Sequence, residues 1–284
     1  MQHDKLLQHN PTFKGMAMAT ADIPFFCEGQ QQLLTLVTPA WDKNGEETPR
    51  FPAVVFLQGS AWTSPNRFFQ LPQLCAYAQQ GIAVASITHR DATEGNPFPA
   101  YLKDAKAAIR FLRAEADTLG IDPDRVGFFG TSSGGNTALL VGLTGDDPRY
   151  KTSDYQSYSD AVRLAVDCFG PADLMMIPET EVAKNERIMG IMRSLIGEGD
   201  TQTVLRAMSP VYEVQNGQTY PPFLILQGDR DQDVPYAQSE KMHAHLKEAG
   251  ADSTLVLVQG AGHEGSFWSA ELHALILDFI KKHI

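Results

Sequence analysis

Gly130-Thr131-Ser132-Ser133-Gly134 sets a serine at the centre of a G-x-S-x-G pattern. A short apolar run, DRVGFFG (124–130), leads into it, and TSSGGNTALLVGL continues as a turn and then a helix. In that setting the hydroxyl stands on a sharp turn at a helix N-terminus, which favours developing negative charge. The flanking glycines avoid Cβ clashes with the adjoining strand and helix. The chemistry these residues suit is nucleophilic attack by the Ser132 hydroxyl. Ser133, one position off centre, is expected to contribute its backbone N–H to an oxyanion.

A serine hydroxyl needs a base, and the base needs an orienting acid. In strand–turn–helix sites of this kind the chain order is serine, acid, histidine. Of eight histidines, His3, His9, His89 and His283 lie at the termini or before the nucleophile. His243 and His245 are spaced i, i+2 on a helix and do not share a face. His273 falls inside the last helix. His263 follows the run STLVLV in the loop QGAGHEGS, where small neighbours let an imidazole swing over the sheet edge, and it is the expected base. The acid should end the preceding strand. FLILQGDRDQDVP offers Asp229, Asp231 and Asp233, and the residues alone leave the three open. Oxyanion donors also come from the loop after an earlier strand. VVFLQGSAW supplies it, with the N–H of Ser60 or Ala61 as candidates.

The elements that must position these groups alternate. Residues 31–39, 52–59, 82–90, 124–130, 162–170, 221–229 and 253–260 read as strands, several of them continuous apolar runs of the kind buried on both faces. Helical spacing is expected over 71–80, 100–119, 133 onward, 237–249 and the closing FWSAELHALILDFIKKH. The alternation predicts a mainly parallel twisted sheet with helices on both faces. Ligand sites in such sheets form where loops leave the C-terminal ends of strands, which is where every candidate above lies. DKNGEETP (42–49) reads as a polar turn or loop. Met175–Ser209 breaks the rhythm, has several methionines and no strand pattern, and is expected to be a small helical cap insertion in a single domain spanning 1–284. Trp62, Phe68, Phe69, Phe98 and Trp268 are candidates to line a pocket; of these Trp62, Phe98 and Trp268 are the expected substrate-binding residues.

The net charge of −11, from 34 acidic and 23 basic residues, argues against a nucleic-acid partner. No apolar run is long enough to cross a membrane. The polar start MQHDKLLQHNPTFKG lacks the pattern of a signal peptide. Three scattered cysteines, Cys27, Cys75 and Cys168, form neither a disulfide framework nor a zinc motif, and suit a reducing, cytoplasmic setting.

With these pieces in order, the chain resembles the α/β-hydrolase superfamily. More narrowly it is similar to bacterial acetyl-xylan and feruloyl esterases, next to the hormone-sensitive-lipase-like carboxylesterases. The segments that carry the resemblance are FLQGSAW, HRDATEGNPFPAYLKDAKAAIRFLRAEADTLGIDPDRVGFFGTSSGG, SPVYEVQNGQTYPPFLILQGDRDQDVPYAQSE and VLVQGAGHEG, from about Leu33 to Ile284. The resemblance implies the α/β-hydrolase fold, Ser132 as nucleophile, His263 as base and, within G-x-x-D-x-x-V-P, Asp231 as acid. It places an oxyanion loop on Gln58, Gly59, Ser60, Ala61 and Trp62. Gln58 stands where histidine is usual, Ser60 where glycine is usual, and Gln227 where a histidine is frequent. Serine allows fewer backbone angles than glycine, which bears on the loop geometry. The implied activity is hydrolysis of small-acyl esters, of acetylated sugars or short-chain acids, with no metal or organic cofactor. The alternatives are a peptidase of the prolyl-oligopeptidase type, a non-catalytic small-molecule binding protein, and a lyase on the same fold.

Overall fold

The computed structural model describes residues 4–42, 48–179 and 181–284. Most of the polar stretch expected over 42–49 therefore lies outside the described residues. Eight strands form one sheet in the order β1-β2-β4-β3-β5-β6-β7-β8. They are β1 (Ala17–Cys27), β2 (Gln30–Pro39), β3 (Phe51–Leu57), β4 (Ala83–Ile87), β5 (Ile121–Thr131), β6 (Ala165–Cys168), β7 (Phe223–Gly228) and β8 (Ser253–Val258). From β4 to β8 every pairing is parallel. β1 and β2 form an antiparallel hairpin that joins antiparallel to β4. Glu28 and Gly29, both at positive φ, make the two-residue turn such a hairpin favours.

The helices are α1 (Leu71–Gln79), α2 (Ala100–Ala114), α3 (Ala116–Leu119), α4 (Ser133–Leu143), α5 (Glu186–Ile196), α6 (Thr201–Ala207), α7 (Tyr236–Glu248) and α8 (Ala270–His283). The strand period of two divides the core between the faces. Val54 and Phe56 of β3 pack with Leu74 and Tyr77 of α1 and Ile276 and Ile280 of α8. The alternating Ala53, Val55 and Leu57 pack with Leu102, Ala105 and Ile109 of α2 and Ala138 of α4. α7 covers the far end of that second face through Met242 and Leu246. Lys106 and Arg110, fully buried on α2, are matched by Asp160, which accepts from each at 2.7 Å.

Two expectations change. β1 escapes the pattern because it is an edge strand with a register shift between Thr20 and Ile23, a positive φ at Asp22, and Pro24 within it. The single helix expected over 100–119 divides at Glu115 into α2 and α3, and Gly120 at φ 70 ends the second. Between β6 and β7 the chain forms two 3₁₀ turns, Leu174–Glu179 and Glu181–Lys184, then α5 and α6, and then a third 3₁₀ turn, Pro210–Tyr212. Asn185 caps α5 by accepting from the N–H groups of Arg187 and Ile188, and Asp200 caps α6 through Thr203. Among the described residues no helix is long and apolar enough to cross a membrane.

Candidate active site

β5 runs into α4 through Ser132, whose backbone sits at φ 52, ψ −121. A non-glycine residue held there costs about 1–3 kcal/mol, which the surroundings must impose. They do so on both sides. The Ser132 N–H donates to Cys168 O at 2.9 Å, and the Asn136 N–H donates to Ser132 O at 3.0 Å. The crossing also leaves no room for a side chain at the glycines two residues to either side of the serine. A Cβ on Gly130 would lie 1.9 Å from Gly134 O, and one on Gly134 would lie 2.1 Å from Leu57 O.

His263, in the loop after β8, brings its Nε2 to 2.9 Å from Ser132 Oγ. Its Nδ1 lies 2.8 Å from Asp231 Oδ2. Of the three carboxylates the residues left open, Asp231 is thus the one against the imidazole. Asp229 accepts from the Gly260 N–H at 2.6 Å and ties down the adjoining loop. Asp233 is exposed. Asp231 is fixed from every side: Oδ1 accepts from the N–H groups of Asp233 and Val234, each at 2.9 Å, and Oδ2 also accepts from Gln227 Nε2 at 2.8 Å. Burial alone would lower the imidazole's proton affinity. The hydrogen bond and charge of Asp231, aided by Asp233 and Glu264, outweigh it and raise the pKa above the ordinary histidine value. Phe169 packs edge-on against the ring at 4.7 Å between centroids. Asp231, Asp233 and His263 also offer three metal-ligand atoms within 4.8 Å of one another. Both Asp231 oxygens already accept from N–H donors.

The loop after β3 carries the oxyanion candidates, and it separates them. The Ser60 N–H donates to Ser133 Oγ at 3.0 Å. It is therefore engaged, which removes Ser60 from the expected donor set. The N–H groups of Ala61 and Ser133 have no backbone or side-chain acceptor among the described residues. Positive φ falls on Ala61 (52°) and Trp62 (60°), not on Ser60. Gly59 is needed for closeness instead: a Cβ there would lie 2.5 Å from Ser132 Cβ. Its N–H donates to Thr131 Oγ1 at 2.8 Å. Gln58 Oε1 accepts from the Asn66 N–H at 2.7 Å and closes the loop on itself.

Ser132 and His263 open into a cavity of about 810 Å³. Trp62, Phe69 and Trp268 line it, as do Ile177, Ile188 and Met192 from the segment between β6 and β7. Phe98 does not. It packs inward on Tyr101 and Tyr150, with ring centroids 5.7 and 6.2 Å away, which corrects its expected substrate-binding role. Phe68 points to solvent, half exposed. Three residues to which the sequence reading gave no role at the site matter here. Gln227 holds the acid, Glu264 lines the cavity beside the base, and His273 stacks under Trp268 at 5.1 Å. The signal for Gln227 was present, since it precedes the acid's glycine on a fully buried strand, where a polar side chain must have partners.

Residues 41–246 match the sequence model of the BD-FAE family. The Mycobacterium tuberculosis protein Esterase LipC is 27% identical over 253 residues, covering 86% of this chain and 61% of that one. Esterase LipQ from the same organism is 30% identical over 246 residues, covering 83% and 54%. The chain thus spans between half and two thirds of the length of these two relatives. Among solved structures, a truncated form of a carbohydrate esterase from gut microbiota superposes with a TM-score of 0.77 at 26% identity, covering 97% of this chain and 99% of that one. A butyrate-bound esterase from Thermogutta terrifontis superposes at 0.72 with 23% identity over 90% of each chain, a likeness of fold.

Proposed function

The chain belongs to the BD-FAE family, with an α/β-hydrolase fold, and from that premise we propose that it is a serine carboxylesterase acting on small esters through an acyl-enzyme. The observation that carries the reading is the continuous path from Ser132 Oγ through His263 to Asp231, at 2.9 and 2.8 Å. In this reading His263 Nε2 takes the hydroxyl proton as Ser132 attacks the ester carbonyl. Asp231 holds the other ring nitrogen protonated and stabilises the imidazolium. The N–H groups of Ala61 and Ser133 receive the oxyanion, and His263 returns the proton to the departing alkoxide. Water then cleaves the acyl-enzyme by the same route, with His263 again as base.

For the substrate we favour acetylated sugars or short-chain acyl esters. The cavity mixes an indole platform, Trp268, with amide side chains at Gln58, Asn66, Gln70 and Gln73, a lining suited to hydroxyl-bearing alcohols. The gut carbohydrate esterase is a neighbour in structure over nearly its whole length. Cys27, Cys75 and Cys168 are free thiols, as a reducing cytoplasm would keep them. The test is an ester panel of acetylated sugars, feruloyl esters and p-nitrophenyl acetate, butyrate and octanoate, run with the unaltered protein and Ser132→Ala. The reading expects turnover and fluorophosphonate labelling by the unaltered protein only. Equal turnover by both proteins would remove Ser132 from the mechanism.

A further inference from the structure

Glu264 directly follows the base, and its backbone sits at φ 62, ψ −162, a conformation that suits glycine. A glutamate there is strained, so its surroundings must hold it. The surrounding loop is rich in glycine. Gly260, Gly262 and Gly265 occur within six residues, and β8, which leads into it, is the edge of the sheet. The Glu264 side chain does not extend into solvent. It is half-buried and lines the cavity, and its Oε2 accepts from the Trp268 indole N–H at 2.8 Å. The Thr131 hydroxyl also stabilises its charged form.

The carboxylate therefore joins the loop that carries the base to Trp268 of the cavity wall. We propose that Glu264 is a positioning residue that clamps the loop carrying the base to the Trp268 wall of the cavity. It touches no reacting atom and acts through the groups it ties together. The inference rests on the assignment of Ser132 and His263 above. Burial pushes the carboxyl pKa up, while Trp268, His263 and Thr131 hold it down, the net direction being upward. The partners thus work against desolvation to keep a charge in place.

Glu264→Gly tests this directly, because it removes the carboxylate while giving the backbone the residue its φ favours. With p-nitrophenyl acetate, kcat should fall roughly tenfold to a hundredfold, the range a misplacement of about 1 Å produces, with KM within about twofold. Tm should hold or rise. Glu264→Gln should recover most of the loss, since its amide oxygen still accepts from the indole. Trp268→Phe should slow turnover, and adding Glu264→Gly to it should bring no further multiplicative loss, as for two ends of one link. Wild-type kcat in Glu264→Gly overturns the proposal. So do parallel losses of Tm and kcat, a Gln variant no better than Gly, or multiplicative losses in the double variant. If Ser132→Ala keeps its turnover, the underlying assignment fails. If Ser132→Ala is inactive and Glu264→Gly is not impaired, only the clamp fails.

Discussion

Gln227 lies wholly inside the molecule at the end of β7, and its amide makes three contacts. Nε2 donates to Asp231 Oδ2 at 2.8 Å and to Val234 O at 2.9 Å, and Oε1 accepts from Ser239 Oγ at 3.0 Å. Gln227→Leu keeps the volume and removes all three. The bond to the carboxylate is charge-assisted, about 1.5–3 kcal/mol, and the other two are neutral, about 1 kcal/mol each. The loss is therefore about 3–5 kcal/mol, with a buried hydroxyl and a buried carbonyl left unpartnered. For a chain of this size that lowers Tm by roughly 6–10 °C, since each kcal/mol shifts it by about 2 °C. Asp231 keeps its two backbone donors on Oδ1, so the carboxylate stays nearby but is free to turn about Oδ2. A fall in kcat of about tenfold follows, with KM little changed. Gln227→Glu should be worse, because two adjacent carboxylates share a proton and weaken the hold on His263. Differential scanning fluorimetry and steady-state ester kinetics read both effects. A Gln227→Leu protein with kcat within about twofold and Tm within about 2 °C of the parent would refute the reasoning.

Because Asp231 raises the His263 pKa and the base must be neutral to act, kcat/KM should fall as pH drops through a value above the ordinary ~6.5. Asp231→Asn should move that limb to lower pH while cutting kcat by about 10³–10⁴, read from pH–rate profiles, whereas Asp229→Asn and Asp233→Asn should cost far less. The same shift affects stability: the native state favours the protonated imidazole, so this contribution is complete below about pH 6.5 and is lost as pH rises through the raised pKa. Denaturation across that window should show it in the parent and less of it in Asp231→Asn. Ser133→Ala removes the acceptor that holds the Ser60 N–H and should lower kcat by about tenfold, less than the ~10²–10³ of losing an oxyanion donor, with KM unchanged in steady-state assays. Gly130→Ala drives a methyl into the Gly134 carbonyl and should yield a protein destabilised by more than about 3 kcal/mol in chemical denaturation; a stable, active variant would contradict the packing described here.

The parallel strands were legible because burial on both faces leaves continuous apolar runs such as AVVFL and FLIL, which need no alternation to be noticed. The hairpin β1 was not, since an exposed edge strand carries a weaker pattern and Pro24 argues against a strand locally. Ser132 and His263 could be named from turn chemistry and neighbours of small size. Choosing among Asp229, Asp231 and Asp233 needed the resemblance, because all three are carboxylates within five residues and only tertiary contact distinguishes them. Phe98 shows the opposite limit. Its aromatic ring made it a pocket candidate, but the ring packs on Tyr101 and Tyr150 inside, and the sequence carries no direction for its side chain.

The departures from the resembled pattern share one physical explanation. Where histidine and glycine are usual, this chain substitutes side chains that make their own loop bonds. Gln58 accepts from the Asn66 N–H. Ser60 and Thr63 exchange hydroxyl-to-carbonyl bonds, at 2.7 Å from Ser60 Oγ and 2.6 Å from Thr63 Oγ1. Gln227 bonds the acid directly. A glycine loop leaves its backbone free and must be ordered on binding, whereas side-chain cross-links fix it beforehand at the cost of adaptability. The left-handed backbone of the loop is then carried by Ala61 and Trp62, the latter held by burial to 5% exposure. Loosening the cross-link should therefore cost turnover before it costs folding. Ser60→Gly, which restores the usual residue, is expected to lower kcat by a few-fold with KM and Tm nearly unchanged, and a rise in kcat would show that the serine constrains the loop away from its productive shape.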